Sequence, residues 1–240
     1  MSRESSRTRV HVFANLAVSL DGKIDSFLRE GGGFSSRYDR DRLDAFRTEA
    51  DVLIVGAGTI RVEDPPLRIR DPSRRRERRA AGRAEELAVV VVSRSGNIPA
   101  RARFLREPAH ARLLVLPQEL PASALAPLAG AVEHGALEVL RCGEGEVALP
   151  LLFEELGRRG YRSVLVEGGG GLIASLLDRE LLDEIRVTLC PTLIGGRAAP
   201  TLVDGEGWPL AHRLRLRLVE MERVGDEIFL RYRLARGEES

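Results

Sequence analysis

The chain has 240 residues, of which 43% are hydrophobic and 30% charged, a composition typical of a folded domain with a large core. Its net charge of +1 gives no reason to expect a nucleic acid or a membrane surface as a partner. No apolar run approaches the roughly 18 residues that span a bilayer, and the polar N-terminus lacks the apolar core of a signal peptide. Two distant cysteines and four isolated histidines predict a cytoplasmic, reduced protein without a metal centre.

Residues 10–18 are apolar and rich in β-forming side chains, which predicts a strand with Asn15 in its middle. A polar amide in such a strand is hydrogen-bonded, either to the backbone or to a ligand. Asn15 is therefore a candidate ligand contact. The sequence SLDGKI follows at residues 19–24, and its Asp-Gly step marks a turn.

Lys23, in this turn, is the only lysine among the 37 basic residues. A gene rich in G and C would account for the arginine bias without any functional cause. The exception is still informative, because a lysine amine is a compact donor with an adjustable pKa and arginine cannot replace it in that role. We therefore consider Lys23 a candidate catalytic residue.

Residues 37–49 are predicted to form a helix capped by Ser36, with Leu43 and Phe46 facing inward. The apolar residues 51–56 predict a buried strand, and the sequence GAGT at 56–59 opens a turn directly after it. This gives a first glycine-bearing strand end.

Residues 70–86, RDPSRRRERRAAGRAEE, form an arginine-dense stretch. It has no aromatic side chains that could stack on bases, and three glutamates dilute its charge. We predict a solvated surface insertion at residues 71–86, as a loop or short helix. Binding of RNA or phosphate through these arginines is the alternative.

The continuous apolar run at residues 87–92 predicts a fully buried strand, which ends in the polar sequence SRSG. Together with the glycine-bearing strand ends, Ser93 and Arg94 could hold the phosphates of a dinucleotide. An arginine beside serines suits a 2′-phosphate, which favours NADP over NAD as that ligand. Further short strands are predicted at 112–116 and 137–140, and an amphipathic helix at 149–159.

Residues 163–177, SVLVEGGGGLIASLL, combine a short strand, an acid, four glycines and a helix. Glycines at a strand-to-helix turn let the backbone approach a ligand, and the helix start offers unpaired N–H groups to an anion. A turn without a ligand is the alternative. The residues concerned are Glu167, Gly168, Gly169, Gly170 and Gly171.

The C-terminal region alternates leucine with arginine at 213–218 and keeps the same period at 227–234, with Gly225-Asp226 between the two segments. This pattern predicts two half-exposed antiparallel strands joined by a turn. Alternating strands and helices before this hairpin favour a single α/β domain with a mixed sheet over residues 1–240, preceded by a flexible tail at 1–8.

Several of these motifs, in this order, resemble the reductase of riboflavin biosynthesis, in its stand-alone form and as the C-terminal domain of the bifunctional deaminase-reductase. The resemblance covers about residues 10–234. It rests on SLDGKI at 19–24, VGAGT at 55–59 with Asp64-Pro65, VEGGG at 166–170, LDE at 182–184 and the loop at 191–207.

The resemblance implies a dihydrofolate-reductase-like fold, in which helices flank a mixed, mostly parallel sheet. It also implies a homodimer and NADPH-dependent reduction of a ribosylamino-pyrimidine 5′-phosphate. Hydride would go to the sugar C1, so the protein would align the nicotinamide with that carbon and supply a proton. No zinc-binding deaminase half is expected upstream of Val10.

The resemblance also implies roles for single residues. Lys23 and Glu167 are the expected catalytic groups, Lys23 handling a proton or orienting the sugar. The expected cofactor contacts are Thr59, Glu63, Ser93, Arg94 and Gly168 to Gly171. The expected substrate contacts are Asn15, Arg47, Asp64, Leu67, Arg70 and Glu167, the two arginines being natural partners of a phosphate.

The chain departs from the family pattern at Glu63, which stands where an aspartate is usual, and at Arg68, which replaces a threonine. A tryptophan often found in the bifunctional enzymes is also missing near 31–34. The exact pyrimidine therefore stays open, and so does a related pterin-like substrate. A non-catalytic nucleotide-binding module is the alternative from another functional class.

Overall fold

Strands and helices alternate along the chain in the structure, a computed structural model that describes residues 9–31 and 33–235. The tail predicted at residues 1–8 lies outside the described residues. The strands are β1 His11–Ser19, β2 Val52–Gly56, β3 Ala88–Val92, β4 Ala111–Leu116, β5 Glu138–Arg141, β6 Ser163–Val166, β7 Glu184–Cys190, β8 Leu216–Val224 and β9 Glu227–Leu234. The helices are α1 Arg37–Glu49, α2 Ala57–Val62, α3 Pro72–Ala80, α4 Arg103–Arg106, α5 Ala129–Glu133, α6 Leu149–Arg158 and α7 Gly170–Asp178, with short 3-10 helices at Ala122–Leu128 and Leu210–His212.

The strands form a sheet in the order β5-β4-β3-β2-β6-β1-β7-β9-β8. The strands from β5 to β7 in this order pair in parallel, whereas β9 pairs antiparallel with both β7 and β8. The predicted mixed, mostly parallel sheet with a C-terminal antiparallel hairpin is therefore confirmed. Parallel pairing leaves the carboxyl ends of seven strands at one edge of the sheet, where a ligand site is expected.

Helices cover both faces of the parallel part of the sheet, and side chains alternate between the two faces along each strand. On one face, Val12, Ala14 and Leu16 of β1 pack with the apolar sides of α6 and α7. On the other face, Phe13 packs with residues such as Ile60 of α2. Continuous apolar strands such as β3 result from this burial on two sides.

Helix α1 is bound to the sheet largely by polar side chains. Its bounds and its Ser36 cap agree with the prediction, and the Ser36 hydroxyl accepts from the N–H of Asp39 at 3.2 Å. Phe46 is partly buried and packs against the core as predicted, and Leu43 is also only partly buried. The fully buried side chains of α1 are Asp39, Asp44 and Arg47, which were not predicted. Hydrophobic periodicity misses this face because its side chains are held by hydrogen bonds and ion pairs.

The arginine-dense insertion contains helix α3, capped by Asp71. The prediction of a surface insertion is wrong for Arg78, which is only 3% exposed. Its Nη1 donates to the carbonyl oxygens of Thr48 at 2.9 Å and Ala50 at 2.5 Å, at the C-terminal end of α1. Arg78 therefore fastens α3 to α1 by satisfying carbonyls that the helix itself leaves unpaired.

The outer strand β8 is exposed on both faces, although the alternating pattern predicted half-exposure. Its exposed apolar side chains are Leu216, Leu218, Val219 and Met221. Within the described residues, β8 pairs with β9 and leaves its other edge open. Among the helices in 9–31 and 33–235, none has the length and apolar character needed to cross a membrane.

Candidate functional site

A cavity of about 580 Å³ opens at the carboxyl edge of the parallel strands. Its wall comes from the segment after β1, the turn from β2 into α2, the end of β3, the start of α6 and the start of α7. These segments meet because parallel strands end at one edge of the sheet. The segments therefore converge although they are far apart in the sequence.

The start of α7 is shaped by its glycines. Gly168 and Gly169 have φ values of 94° and 79°, in the left-handed region that favours glycine. At Gly170 a Cβ would lie 2.3 Å from the carbonyl oxygen of Thr201 and 2.7 Å from Oδ2 of Asp204. The chain thus packs tightly on one side of Gly170, while the first N–H groups of α7 have no intrahelical acceptor and lie beside the cavity.

Helix α2 and the residue directly after it contribute two of the predicted cofactor contacts to the cavity wall, Thr59 and Glu63. A Cβ on Gly168 would lie 3.2 Å from Oγ1 of Thr59, so the two glycine-bearing strand ends touch. Strands β2 and β6 are neighbours in the sheet, which explains this contact. Two motifs separated by more than a hundred residues therefore form one surface.

Ser93 and Arg94 lie in the cavity wall at the end of β3, as does Ser95. The buried Ser93 hydroxyl accepts from the N–H of Gly96 at 3.0 Å and so closes the turn. Arg94 and Ser95 are exposed. This turn therefore presents a guanidinium and a hydroxyl to the cavity.

Part of the wall was not predicted from the sequence. It includes an apolar patch of Val92, Val147, Leu149 and Leu172, and the charged side chains of Asp25, Arg29, Arg61, Glu146, Arg179 and Asp204. One signal was available: Gly171, Ser175 and Arg179 are spaced by four residues and so follow one face of α7. The other residues come from loops whose course the sequence pattern does not predict.

The residues predicted to bind substrate lie elsewhere. Arg47 and Glu167 form a buried bidentate ion pair, with Nε–Oε1 at 2.7 Å and Nη2–Oε2 at 2.6 Å. Nη1 of Arg47 also donates to the carbonyl oxygen of Arg68 at 2.8 Å. Burial opposes the charge on Arg47, but Glu167 outweighs it and raises the pKa of Arg47. These two groups are thus committed to each other at one end of the glycine turn.

A second polar group joins α1 to the segment after α2. The Asp44 carboxylate accepts from the N–H groups of Arg70 at 2.9 Å and Asp71 at 2.8 Å. The Arg70 side chain is partly exposed and donates from Nη2 to the carbonyl oxygen of Arg40 at 2.5 Å. Arg47 and Arg70 thus belong to one polar network along α1, in which Arg47 and Asp44 are buried and Arg70 is partly exposed.

The remaining predicted substrate residues are structurally separate. Asp64 has φ 41° and accepts from the N–H of Arg103 at 2.8 Å, and Leu67 is a core residue. Asn15 is buried on the same face of β1 as Phe13. None of these three residues lines the described cavity, and their substrate roles stay predictions.

Lys23 lies just outside the cavity wall, next to Ile24, which lines it. Its Nζ donates to the carbonyl oxygen of Ala199 at 3.3 Å, and its backbone bridges to Thr201. The neighbouring Asp21 accepts from the Ser19 hydroxyl and from the N–H groups of Ile194 and Gly195, which lower the pKa of Asp21 to about 2. The turn carrying Lys23 is therefore anchored to the loop after β7.

A glycine-opened helix beside a cavity at the strand ends is typical of α/β proteins that bind a phosphorylated ligand. Comparison with known proteins is more specific. The chain belongs to the RibD C-terminal domain family, whose sequence model matches residues 10–230.

Two relatives match this chain over nearly their whole length. The 2,5-diamino-6-ribosylamino-4(3H)-pyrimidinone 5′-phosphate reductase of Archaeoglobus fulgidus is 37% identical over 219 residues, covering 91% of this chain and 95% of that protein. The protein of the same name from Methanothermobacter thermautotrophicus is 33% identical over 225 residues, covering 93% and 98%.

Solved structures agree with the fold. A pyrimidine reductase-like protein from Corynebacterium diphtheriae superimposes with a TM-score of 0.80 at 20% identity, covering 95% of this chain and 92% of that one. RibD from Acinetobacter baumannii gives 0.77 at 21% identity, covering 97% of this chain and 60% of that one. At such identities the likeness concerns the fold alone.

Proposed function

We propose that this protein is an oxidoreductase of riboflavin biosynthesis that reduces 2,5-diamino-6-ribosylamino-4(3H)-pyrimidinone 5′-phosphate. The ribosylamino group becomes a ribitylamino group in this reaction. Support comes from two relatives that carry this activity in their names and match the chain almost end to end. A related pyrimidine or pterin on the same fold is the alternative substrate.

The structural observation that carries the proposal is the glycine turn into α7. Gly168 and Gly169 adopt backbone conformations that side chains disfavour, and Gly170 has no room for one. Such a turn suits a diphosphate held by the N–H groups of α7. We therefore propose that Gly168 to Gly171 bind the diphosphate of NADPH, which supplies the hydride when it is bound.

The rest of the cavity fits the same cofactor. The apolar patch of Val92, Val147, Leu149 and Leu172 suits a planar base. Ser93 and Arg94 form a turn suited to a 2′-phosphate, and the side chain of Arg94 contacts no partner among the described residues. Thr59 and Glu63 are proposed cofactor contacts on the opposite wall.

For the substrate we propose the polar network along α1, which reaches the surface at Arg70, as the binding region. Arg70 would contact the 5′-phosphate, and Arg47 would act together with Glu167, since the two are already joined. Asn15, Asp64 and Leu67 belong to the same proposal. The proposal is supported by the position of Glu167 directly before the glycine turn, which links this region to the cavity.

The reaction adds a hydride to C1 of the open-chain imine and a proton to its nitrogen, which gives the ribitylamine. We propose that Lys23 handles this proton or orients the sugar. Ile24, next to Lys23, lines the cavity, and the backbone of Lys23 is fixed by its bridge to Thr201. A rotation of the flexible lysine side chain away from Ala199 would bring its amine toward the ligand.

The decisive experiment is turnover, followed by the loss of NADPH absorbance. The proposal expects oxidation of NADPH with the ribosylamino-pyrimidine phosphate, none with dihydrofolate, and weaker binding of NADH than of NADPH. Turnover of the deaminated pyrimidine alone would replace the proposed substrate. NADPH binding without turnover of either compound would favour a nucleotide-binding module.

A homodimer formed through β8 is a further part of the proposal. An open strand edge with exposed apolar side chains tends to pair with another chain. Leu218 is 49% exposed and Met221 is 66% exposed in the isolated chain. In a two-fold symmetric dimer, β8 of one copy would pair with β8 of the other. Leu218 and Met221 would then be covered in both copies.

Sedimentation at micromolar concentration tests the dimer. Leu218→Glu combined with Met221→Glu should convert a dimer into monomers. Leu210→Glu is the control, because Leu210 is 82% exposed but lies outside β8. A monomeric wild-type protein, or equal effects of both changes, would contradict this interface.

We also propose that the chain is one reductase domain in the cytoplasm. Strands from both ends of the chain support the first point, since β1 and β9 flank β7 on its two sides. The second is supported by Cys142 and Cys190, which are both free thiols. Limited proteolysis that released a stable fragment would contradict the single domain.

A further inference from the structure

The arginines of the cavity wall differ in whether they already have a partner. Arg179 is paired with Glu146, and Arg61 donates from Nη1 to the carbonyl oxygen of Asn97 at 3.2 Å. Two of the four guanidiniums are therefore engaged by the protein itself.

Arg29 and Arg94 are the other two, and their side chains contact no hydrogen-bonding or ionic partner within the described part of the chain. Asp25 and Asp204, which also line the cavity, accept hydrogen bonds from their own loops and form no ion pair with either arginine among the described residues. An unpaired guanidinium in a concave wall attracts an anionic group of a ligand. The 2′-phosphate proposed above concerns Arg94 and leaves Arg29 without a role.

The loop from Asp25 to Gly31 is held in a defined shape. The Asp25 carboxylate accepts from the N–H of Ser26 at 2.7 Å and from the N–H of Gly31 at 3.1 Å, which ties the two ends of the loop together. Inside the loop, the Ser26 hydroxyl donates to Glu30 at 2.7 Å and the Ser26 carbonyl accepts from the N–H of Arg29 at 3.1 Å.

This loop also lies against helix α2. A Cβ on Gly31 would be 3.3 Å from Cγ of Glu63, and both Glu63 and Arg29 line the cavity. The loop therefore extends the wall from Ile24 to the end of α2. Arg29 itself has φ 53°, a left-handed conformation that the surrounding hydrogen bonds maintain.

We propose that Arg29 binds a phosphate group of the ligand in this cavity and that Asp25 is the positioning residue that holds its loop. The inference rests on the proposed function, in which both the cofactor and the substrate carry phosphates. A loop shaped before binding loses less conformational entropy when Arg29 engages the phosphate. The phosphate can belong to NADPH or to the pyrimidine, and binding measurements distinguish the two.

The test compares Arg29→Gln with wild type in fluorescence titrations of NADPH and NADH and in the KM for the pyrimidine phosphate. We expect the ligand whose phosphate contacts Arg29 to lose affinity by at least about tenfold, the effect of removing a charge-assisted hydrogen bond. Equal losses for both nucleotides identify the diphosphate, and a loss for NADPH alone identifies the 2′-phosphate. A raised KM with unchanged nucleotide binding identifies the substrate phosphate.

Arg158→Gln is the matched control, since Arg158 is an exposed arginine at the C-terminal end of α6, does not line the cavity and is paired with Glu155. If the nucleotide dissociation constants and the KM of Arg29→Gln all stay within twofold of those of this control, the role of Arg29 is refuted. The nucleotide titrations need no turnover, so they test a contact between Arg29 and a cofactor phosphate even if the pyrimidine is not a substrate.

Asp25→Asn tests the positioning role. Because Asp25 acts through Arg29, the double variant Asp25→Asn/Arg29→Gln should bind no more weakly than Arg29→Gln alone. A residue that merely stabilised the fold would instead lower the melting temperature without this dependence. Additive losses in the double variant would refute the positioning role.

Discussion

Arg47 and Glu167 face each other in a bidentate ion pair whose side chains are 3% and 12% exposed. A buried pair of this kind is strongly destabilised when one partner is removed, because the other charge stays buried without compensation. The pair also connects helix α1 to the residue directly before the glycine turn. It therefore couples the stability of the fold to the shape of the cavity.

Glu167→Gln is expected to lower the free energy of unfolding by about 3–5 kcal/mol, since Arg47 then lacks a counter-charge. Urea denaturation measures this loss. Asp41→Asn is the control, because Asp41 belongs to an exposed pair with Arg37 on the same helix and should change stability by less than about 0.5 kcal/mol. Equal losses of unfolding free energy in the two variants would show that the buried pair stabilises the fold no more than the exposed pair does.

Gly170→Ala is expected to destabilise the protein by about 1–3 kcal/mol or more, because its Cβ would overlap the carbonyl oxygen of Thr201. Gly171→Ala is the matched variant one residue later, where a Cβ meets no atom within 4 Å. It should leave stability unchanged or raise it by up to about 1 kcal/mol. Thermal unfolding of the two variants side by side tests the difference, and a tolerated Gly170→Ala would disprove the tight approach.

Arg78→Met should lower stability by about 2–3 kcal/mol, since the carbonyl groups of Thr48 and Ala50 would lose their buried donor. Arg76→Met, on the exposed side of the same helix, should stay within about 0.5 kcal/mol of wild type. Chemical denaturation provides the comparison. Equal stabilities of the two variants would show that the contacts of Arg78 do not stabilise the fold.

Asp21 links stability to pH. Its folded pKa of about 2 is below the ordinary value of 3.8, so its contribution is complete above about pH 4 and disappears as the pH falls toward 2. The melting temperature of wild type should therefore exceed that of Asp21→Asn at neutral pH, and the gap should narrow between pH 4 and pH 2. A gap that stayed constant over this range would contradict the anchoring role of the carboxylate.

Lys23→Arg should keep the fold and the NADPH affinity but lose most of the turnover, because a guanidinium cannot exchange protons at neutral pH. Steady-state kinetics and NADPH titration separate the two effects. Lys23→Met, which keeps the length without the charge, should show the same loss. A near-normal kcat in either variant would remove Lys23 from the chemistry.

The sheet could be predicted from the sequence because each strand leaves a simple pattern. Runs such as LAVVVV before Ser93 must be buried on two faces, and alternation before Gly225 indicates an exposed hairpin. The convergence of several wall segments of the cavity could also be predicted. The sequence GAGT at 56–59, Ser93 and the glycines after Glu167 each come at a strand end, and parallel strands bring their ends together.

The polar contacts of α1 could not be predicted in the same way. Hydrophobic periodicity points to Leu43 and Phe46, whereas burial falls on Asp44 and Arg47, whose partners are far away in the sequence. Arg78 is hidden for the same reason, within a run of arginines that looks uniform. A buried charge leaves no local signal, because only its partner distinguishes it from a solvated one.

The position of β6 also determines when β1 can join the sheet during synthesis. Its four residues separate β1 from β2, so in the described sheet β1 has neighbours only in β6 and β7. On the ribosome, β2 to β5 can associate early, while β1 waits for Ser163–Val166 to emerge. The glycine turn follows immediately, so β1 joins the sheet and the ligand-binding turn forms in the same late step, before β7, β9 and β8 are added.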